Sequence, residues 1–453
     1  MRDYLDRLAR LAAGTRLDAL PSSAVEAARR VLLDTLGAMV AGSAQPENRR
    51  FAGLAAARTP HGAATLVGHR GRADAFWAAL VNATAGVALE VDEGNRLGGG
   101  HPAIHTLPAA LAAAEERRLD GRRLLESLVA GYEIGSRLGG ATTPRANVHS
   151  HGTWGTISTA VAAARLEEAP AETIRTVINL AASMSPANTW TPALEGATIR
   201  NLYPGRSAFQ GLLAVEVHRC GFTALADGPS DVYGTLLADR FDPALAAEDL
   251  DPDDRPLRWR IEQNYVKLHA CCRYNHYALD AVLALRRTHG LVAEDVARVE
   301  VTTIPFGARM ALPAPVNLLG AKFSIPYAVA AALALGHADT AAFEPAARDD
   351  RRVRDLARRV AVRVDAEMSP RRTDYPTARV RIALRDGRTL EQVTTVPRGD
   401  ADNPVDAREV EDKFMTLAAG VLGDARARQV AATVRTVEAL ADVRDLTALL
   451  APA

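Results

Sequence analysis

The chain has 453 residues, of which 48% are hydrophobic, enough for two or three domains with a sizeable buried core. Its 54 acidic side chains balance its 54 basic ones, so the formal net charge is zero. This balance argues against general binding of nucleic acid and against attraction to a membrane surface, while it leaves room for a local basic pocket that binds a small anion.

The N-terminal residues and the cysteines favour a cytoplasmic protein. Charged side chains occur every few positions in residues 1–8, so we predict no secretory signal. No apolar run reaches the roughly 18 residues of a membrane-spanning helix. The three cysteines, Cys220, Cys271 and Cys272, are too few for a disulfide framework, and the adjacent two pair poorly with each other.

Helical periodicity runs through most of the first 260 residues. Ser23-Ala24-Val25-Glu26 matches a capping box, and apolar residues then recur at helical spacing as far as Gly42, where we predict the end of the first long helix. Further helices are predicted at Ala73–Leu89, Pro108–Arg118, Gly121–Leu138, Thr156–Leu166, Ala171–Ser183 and Arg206–Cys220.

The pattern changes after Asn275. Residues from Val405 to Leu450 form a helical tail that is expected to rejoin the first domain. Between these points, strand-like alternation and helical spacing take turns, which indicates a smaller α+β domain at roughly 270–400. Helices are predicted at His276–His289 and Ala321–Leu335, and strands at Val299–Ile304, Val360–Val364, Ala378–Ile382 and Thr389–Val396, the last two joined by an Asp386-Gly387 hairpin turn.

Three carboxylates and two histidines lie within sixteen residues, just before an alanine-rich run that predicts a buried helix. Charged groups at the mouth of a buried helix are costly to desolvate, so we favour a functional site over a solvated acidic loop. His101 begins this helical region, where a nearby carboxylate has to compensate a protonated imidazole. The cluster consists of Glu90, Asp92, Glu93, His101 and His105, with Asn95 between them.

His149 and His151 flank a turn of small residues that precedes another alanine-rich helix. Imidazole titrates near neutrality, so we favour a general acid or base here. A metal site is the other functional interpretation, but no ligand set with the usual spacing is complete. The alternative is that one of these two histidines is catalytic and the other is hydrogen-bonded to the backbone. The sequence does not decide which histidine has which role.

Two later segments carry cations that suit a carboxylate. Arg200 and Arg206 bracket a turn at a helix start, beside Tyr203, where guanidinium groups and the helix dipole both favour an anion. The alternative is a salt-bridged surface loop. Lys267 stands among apolar and cysteine neighbours, so it could bind a carboxylate or transfer a proton; the alternative is a charged junction with two small buried cysteines.

Together these segments resemble the MmgE/PrpD family over nearly the whole chain. The family includes 2-methylcitrate dehydratase, cis-aconitate decarboxylase and iminodisuccinate epimerase. Six motifs occur in the family's order: Asp34–Gly42, Glu90–Glu93 with His101-Pro102, His149 six residues before Gly155, Arg200 five residues before Gly205, Lys267 through His276, and Lys322–Tyr327.

The resemblance implies a mainly α fold, with a large all-helical domain formed by residues 1–268 and 404–453 and a smaller α+β lid domain at 269–403. It also implies a homodimer and chemistry on polycarboxylates without a metal or other cofactor. Departures from the family pattern leave the substrate open. Gly94 replaces a threonine, Arg200 a lysine and Ala270 a proline, and His105 and His151 are additions.

We therefore expect a cofactor-independent lyase, of the dehydratase or decarboxylase type, that acts on a small anionic polycarboxylate. An epimerase or isomerase of a related anion and a non-catalytic scaffold with the same fold are the alternatives. No nucleic-acid or membrane partner is expected. The expected catalytic residues are His101, His149, His151, Asp92 and Lys267, and the expected substrate-binding residues are Glu90, Asn95, Arg200, Tyr203, Cys272 and His276.

Overall fold

The computed structural model describes residues 3–250, 257–369, 374 and 377–452. Helices dominate the N-terminal region and return at the C-terminal end. The longer ones are Tyr4–Gly14, Ser22–Ser43, Pro46–Arg58, Ala75–Val87, Pro102–Glu116, Gly121–Gly140, Gly155–Leu166, Ala171–Ser183, Leu202–Arg219, Ala407–Leu422 and Asp424–Val434. Short helices lie at Thr191–Glu195, Gly228–Val232, Pro243–Ala246 and Arg444–Thr447.

The long central helix shows where local signals misled the prediction. It begins at Ser22 with Pro21 as the N-cap and no side-chain cap, so the predicted capping box at Ser23–Glu26 is wrong. Gly42 does not end the helix, which continues to Ser43. A Cβ at Gly42 would lie 1.8 Å from the carbonyl oxygen of Ala85, so the glycine permits close packing of two helices.

The helix that carries His101 begins earlier than the alanine-rich run indicates. It starts at Pro102, with His101 as its N-cap residue, and contains Pro108 as an internal residue. Proline is favoured in the first turn because its missing N–H has no helical partner there. The two imidazoles of His101 and His105 are therefore one turn apart, and both lie near the beginning of the helix.

The α+β part is built around one four-stranded sheet. Its strands lie in the order Thr389–Thr394, Ala378–Leu384, Val296–Thr303 and Val360–Val364, and only the last pair is parallel. The predicted hairpin at Asp386-Gly387 is confirmed, with φ +91° at the glycine. Ser324 caps a new helix, which splits the predicted helix Ala321–Leu335 in two. The helices here are Arg273–His289, Leu318–Lys322, Ile325–Leu335, Pro345–Asp349 and Arg351–Ala357.

Two apolar cores correspond to these two parts. The larger core takes residues from the first 266 positions and from 410–450, so the C-terminal helices join it. Phe414 is fully buried there and packs against Gly37 of the central helix. The second core gathers mainly residues 270–384. The predicted mainly α fold with a smaller α+β part is confirmed.

The acidic segment contacts both parts of the molecule. Strands Gly94–Asn95 and Asn264–Tyr265 pair antiparallel within the first part. The fully buried Lys322 donates hydrogen bonds of 2.8 Å to the carbonyl oxygens of both Leu89 and Ala270. Smaller strand pairs join Ala64–Thr65 to Arg72–Ala73 and Thr142–Pro144 to Ala238–Phe241. In the part of the chain described here, none of the helices is both long enough and apolar enough to cross a membrane.

Candidate active site

A cavity lies between the acidic segment and the start of the helix Arg273–His289. It encloses about 570 Å³ of empty volume, including its opening to solvent. Both parts of the molecule contribute to its wall, as is common for ligand sites. The lining residues are Glu90, Asn95, Arg96, Gly99, Gly100, His101, Ser150, His151, Trp190, Arg200, Tyr265, Cys272, Arg273, Tyr274, Tyr277 and Phe323.

His101 is held with one ring nitrogen engaged. Its Nδ1 lies 2.5 Å from the carbonyl oxygen of Glu93 and 3.0 Å from Oδ2 of Asp92. Both partners only accept hydrogen bonds, so Nδ1 carries a proton. The Nε2 atom is thereby left for the cavity that His101 lines. A carboxylate that orients an imidazole in this way prepares it for proton transfer through the other nitrogen.

Two cations and two carboxylates lie behind this histidine. Lys267 donates a 3.0 Å hydrogen bond to Oε2 of Glu90, and its Nζ is 3.6 Å from Oδ1 of Asp92. Arg200 makes an ionic contact through Nη1 with Oε1 of Glu90, without hydrogen-bond geometry. All four side chains are at least 98% buried. Burial strengthens such pairs and makes the loss of one partner costly.

Charge pairing keeps these groups ionised. Burial alone raises the pKa of Glu90, but the charges of Arg200 and Lys267 lower this pKa by a larger amount, so the net shift is downward. For Asp92, burial likewise raises the pKa, and His101 and Lys267 outweigh it, which leaves the pKa below its ordinary value. Burial lowers the pKa of Lys267, yet the two carboxylates raise it overall. Lys267 is therefore a fixed positive charge at neutral pH rather than a proton donor.

Glu93 contrasts with its two acidic neighbours. Its Oε1 accepts a hydrogen bond from the backbone N–H of Ala103, and its Oε2 accepts one from the hydroxyl of Tyr132, each 2.9 Å long. The described residues place no cation against it. Burial therefore raises its pKa to about 8, which leaves the carboxyl mostly protonated at neutral pH. Glu93 fixes the helix start that carries His101 and does not line the cavity.

His151 lies next to His101 in the cavity wall. The two ring centroids are 4.6 Å apart, and the His151 ring is also 5.3 Å from that of His105. Within the described residues, neither ring nitrogen of His151 has a hydrogen-bond partner, although the side chain is buried. Burial and the charges of Arg200 and His101 lower its pKa well below the ordinary value. His151 is thus a neutral imidazole with free nitrogens.

His149 lies behind His151 and does not line the cavity. Its Nδ1 accepts a 2.9 Å hydrogen bond from the backbone N–H of His151, and Nε of Arg200 points at its Nε2 from 3.4 Å. Its ring stacks on Trp190 with centroids 3.8 Å apart. Donors at both nitrogens oppose protonation, and burial together with Arg200 lowers its pKa well below the usual range. These contacts favour a structural role.

Two predicted substrate-binding residues have their polar atoms engaged inside the protein. Asn95 lines the cavity, but its amide donates to the carbonyl oxygen of Arg260 and accepts from the backbone N–H of Gly98, both at 2.7 Å. Tyr203 does not line the cavity; its hydroxyl donates to the carbonyl oxygen of Thr189, 3.3 Å away. The expectation that Tyr203 contacts substrate conflicts with this placement behind His149.

Cys272 and His276, both predicted to bind substrate, are placed differently with respect to the cavity. Cys272 lines the cavity as the N-cap residue of the following helix, and burial raises the pKa of its thiol to about 12, so it is no nucleophile at neutral pH. His276 lies one turn further along, outside the cavity wall, with Nε2 3.3 Å from the carbonyl oxygen of Cys271. Arg206 is exposed and bonds Asn188 instead of facing the site.

Sequence reasoning missed most of the aromatic residues of the wall and two of its arginines; Tyr265 and Arg273 are the most informative of these. Tyr265 accounts for the departure at Gly94, because a Cβ at Gly94 would lie 2.3 Å from the tyrosine hydroxyl. The tyrosine occupies the space that a threonine side chain would need. Arg273 stands inside the motif Lys267–His276, so its position beside the candidate lysine was a signal that could have found it.

Asp92, His101 and His151 form the kind of group that can hold a metal ion. Their ligand atoms all lie within 4.8 Å of one another. The ammonium of Lys267 is 3.6 Å from the same aspartate, and a cation so close competes with a divalent metal for that carboxylate. The expectation of a site without metal stays a prediction.

Two known domains of one family match the chain, and the second includes the C-terminal helices that pack into the larger core. The MmgE/PrpD N-terminal domain matches residues 6–236, and the MmgE/PrpD C-terminal domain matches residues 269–439. The chain therefore belongs to the MmgE/PrpD family, as its motifs indicate.

The curated relatives share the full length of the chain at low identity. Cis-aconitate decarboxylase-like protein oryM of Aspergillus oryzae is 24% identical, over 95% of this chain and 94% of that protein. Cis-aconitate decarboxylase of Aspergillus terreus is 23% identical, over 96% and 93%. The Homo sapiens cis-aconitate decarboxylase is 23% identical, over 96% and 92%.

Proposed function

We propose that this protein is a cofactor-independent lyase, of the dehydratase or decarboxylase type, that acts on a small polycarboxylate. The observation that carries the proposal is the arrangement of His101, whose Nδ1 is hydrogen-bonded to the carbonyl oxygen of Glu93 and lies 3.0 Å from Asp92, while Nε2 is left for an arginine-lined cavity. The names of the relatives support the same reaction class. A homodimer and a cytoplasmic location remain predictions.

In the proposed dehydration, Nε2 of His101 removes a proton from the carbon next to a substrate carboxylate. The electron pair left on that carbon forms the new double bond as the C–O bond breaks, and the leaving hydroxide takes the proton that His101 now holds to depart as water. In the decarboxylation, the C–C bond breaks and CO2 leaves, the electron pair stays on carbon, and that carbon accepts a proton from Nε2 of His101, which begins this reaction as an imidazolium. Arg200 stabilises the negative charge that develops on the remaining substrate in either case.

The spacing of the two cavity histidines favours a lyase over a two-base epimerase. Epimerisation with two bases needs one group on each face of the reacting carbon, each about 3–3.5 Å away. The rings of His101 and His151 have centroids 4.6 Å apart and touch each other. A substrate carbon does not fit between them, so both histidines address the same side of the substrate.

A turnover screen in deuterated water, followed by NMR, tests the proposal. The panel contains cis-aconitate, because the relatives carry that name, together with hydroxylated and unsaturated di- and tricarboxylates. We expect a product with a changed number of double bonds or carboxylates, and activity that persists after a chelator treatment. Deuterium exchange with inversion and no other product would favour the epimerase, while ligand binding without any exchange or turnover would favour the scaffold.

Variants connect the activity to the site. His101→Asn should lower kcat by roughly two to four orders of magnitude with a modest change in KM, as expected for the loss of a general acid or base. His337→Asn is the matched control, because His337 pairs with Asp339 at the surface at the same 3.0 Å distance. Equal activity of both variants would contradict the proposed role of His101.

A further inference from the structure

Arg273 is a buried cation whose hydrogen-bonding capacity is mostly unused. Its side chain is 6% exposed, and Nη2 donates a 2.9 Å hydrogen bond to Oδ2 of Asp400. Among the residues that the structure describes, Nε and Nη1 have no hydrogen-bond partner. An arginine seldom leaves two buried nitrogens without a hydrogen-bond acceptor unless a ligand supplies one.

The surroundings of Arg273 hold its guanidinium in place. Its Cζ lies over the ring of Tyr265, 4.4 Å from the centroid, and 5.8 Å from the centroid of Tyr277. Both tyrosines line the cavity, as does Arg273 itself. Stacking on an aromatic ring together with the bond to Asp400 fixes the plane of the guanidinium, which lowers the entropy lost when it binds an anion.

The cavity wall carries more arginines than carboxylates, and each arginine also contacts an acidic side chain. Its charged lining residues, apart from histidine, are Arg96, Arg200, Arg273 and the carboxylate Glu90. Arg200 contacts Glu90, and Arg96 lies 3.7 Å from Asp400 and pairs with Asp402. Arg273 also begins a helix of 17 residues, and a helix N-terminus favours an anion.

We propose that Arg273 binds a second carboxylate of the substrate, away from the reacting carbon. Tyr265 links the two ends of the site, because its ring is 6.0 Å from that of His101 and lies under Arg273. The substrate would thus be at least a dicarboxylate, with one carboxylate near Arg200 and the reacting carbon at His101. The inference rests on the proposed function, to which it adds the residue that binds the second carboxylate.

Calorimetric titration with succinate and butyrate tests the subsite, since the two probes have four carbons and differ in one carboxylate. Wild type should bind succinate more tightly than butyrate. Arg273→Gln should weaken succinate binding roughly 10- to 100-fold, as for a lost charged hydrogen bond, and leave butyrate binding nearly unchanged. Arg273→Lys keeps the charge without the planar fork, so its affinity should lie between the two.

Arg287→Gln serves as the control, because it removes a positive charge from an exposed position of the same helix. It should retain the preference of wild type for succinate. Circular dichroism verifies that each variant is folded. If Arg273→Gln is unfolded, Arg273→Lys is used to test the subsite instead. Equal binding of the two probes by wild type would overturn the subsite. So would a preference for succinate that stays unchanged in Arg273→Gln. If Arg273→Gln does not fold, an unchanged preference in Arg273→Lys has the same consequence.

The outcome separates the subsite from the proposed reaction. If Arg273→Gln abolishes the preference for succinate, the subsite is supported whether or not wild type turns over a polycarboxylate. If wild type turns over no polycarboxylate, only the lyase proposal is overturned. Turnover of a polycarboxylate by Arg273→Gln with the kcat and KM of wild type would overturn the subsite and leave the lyase intact.

Discussion

Two histidine–aspartate pairs of this chain share one nitrogen–oxygen distance and differ in their surroundings. His101 and Asp92 are 3.0 Å apart, with side chains 11% and 1% exposed, while His337 and Asp339 are also 3.0 Å apart but 44% and 55% exposed. Water and ions screen the surface pair, so its contribution to stability is small. The inner pair has Lys267 beside its carboxylate and a cavity in front of its imidazole.

The difference shows that a histidine–aspartate contact has no function of its own. What distinguishes the inner pair is the fixed proton on Nδ1, since the carbonyl oxygen of Glu93 accepts from it and the carboxylate of Asp92 lies 3.0 Å away. In the part of the chain that the structure describes, Nδ1 of His337 is hydrogen-bonded to Asp339 alone, and both side chains are exposed to solvent. Function therefore depends on burial, neighbouring charge and access to a ligand together.

The strongest test of this comparison replaces each aspartate by asparagine. Asp92→Asn should lower kcat roughly 100- to 1,000-fold, because the amide can donate to Nδ1 and so favour the wrong tautomer, while the Glu93 carbonyl oxygen still opposes this change. Asp339→Asn should leave kcat unchanged. Steady-state kinetics on the substrate identified in the screen measure both, with thermal unfolding as the check on folding.

A second test asks which histidine beyond His101 takes part. His151→Asn should lower kcat roughly 10- to 1,000-fold, since it removes a neutral imidazole that lines the cavity. His149→Asn should mainly reduce stability and raise KM, because its ring stacks on Trp190 and receives Arg200. Comparison of kcat, KM and melting temperature for the two variants decides between them, and the reverse pattern would show that His149 transfers the proton.

The fold was largely predictable because its main signals are local. Alanine-rich helical spacing marked helices such as Ala171–Ser183 with the same bounds that the structure gives. Strand alternation and the Asp386-Gly387 turn located the sheet. The beginnings of helices were less predictable, as Pro102 shows, because a helix start depends on capping and on tertiary contacts as much as on apolar spacing.

The candidate site could be predicted as a set of segments but not as a set of contacts. The motifs brought His101, Asp92, Lys267 and Arg200 together, and the structure places them within one cluster. The sequence could not reveal that Glu90 contacts both Arg200 and Lys267, because these contacts depend on how distant segments pack. For the same reason Arg273 was missed and Tyr203 was placed in the cavity.

The smallest expected effect on activity belongs to Glu93, and its readout is stability. Its pKa is about 8 in the folded protein, against 4.5 for an ordinary glutamate. Between these two pH values the folded state holds a proton that the unfolded state has lost, so the free energy of unfolding falls as pH rises. The full contribution is present below pH 4.5 and is gone above pH 8, at about 1.4 kcal/mol for each pKa unit.

Glu93→Gln should remove this dependence because the amide resembles the protonated carboxyl and does not titrate. The variant should therefore gain stability relative to wild type as pH rises from 4.5 to 8, while kcat changes less than about tenfold, since Glu93 does not line the cavity. Urea unfolding at several pH values measures the difference, with the exposed Glu172→Gln as a control that keeps the dependence of wild type.

A constant difference in the free energy of unfolding between Glu93→Gln and wild type would mean that Glu93 is ionised in the folded protein. The acidic segment would then hold three charged carboxylates, and the contrast between Glu93 and the cation-paired Asp92 would not hold.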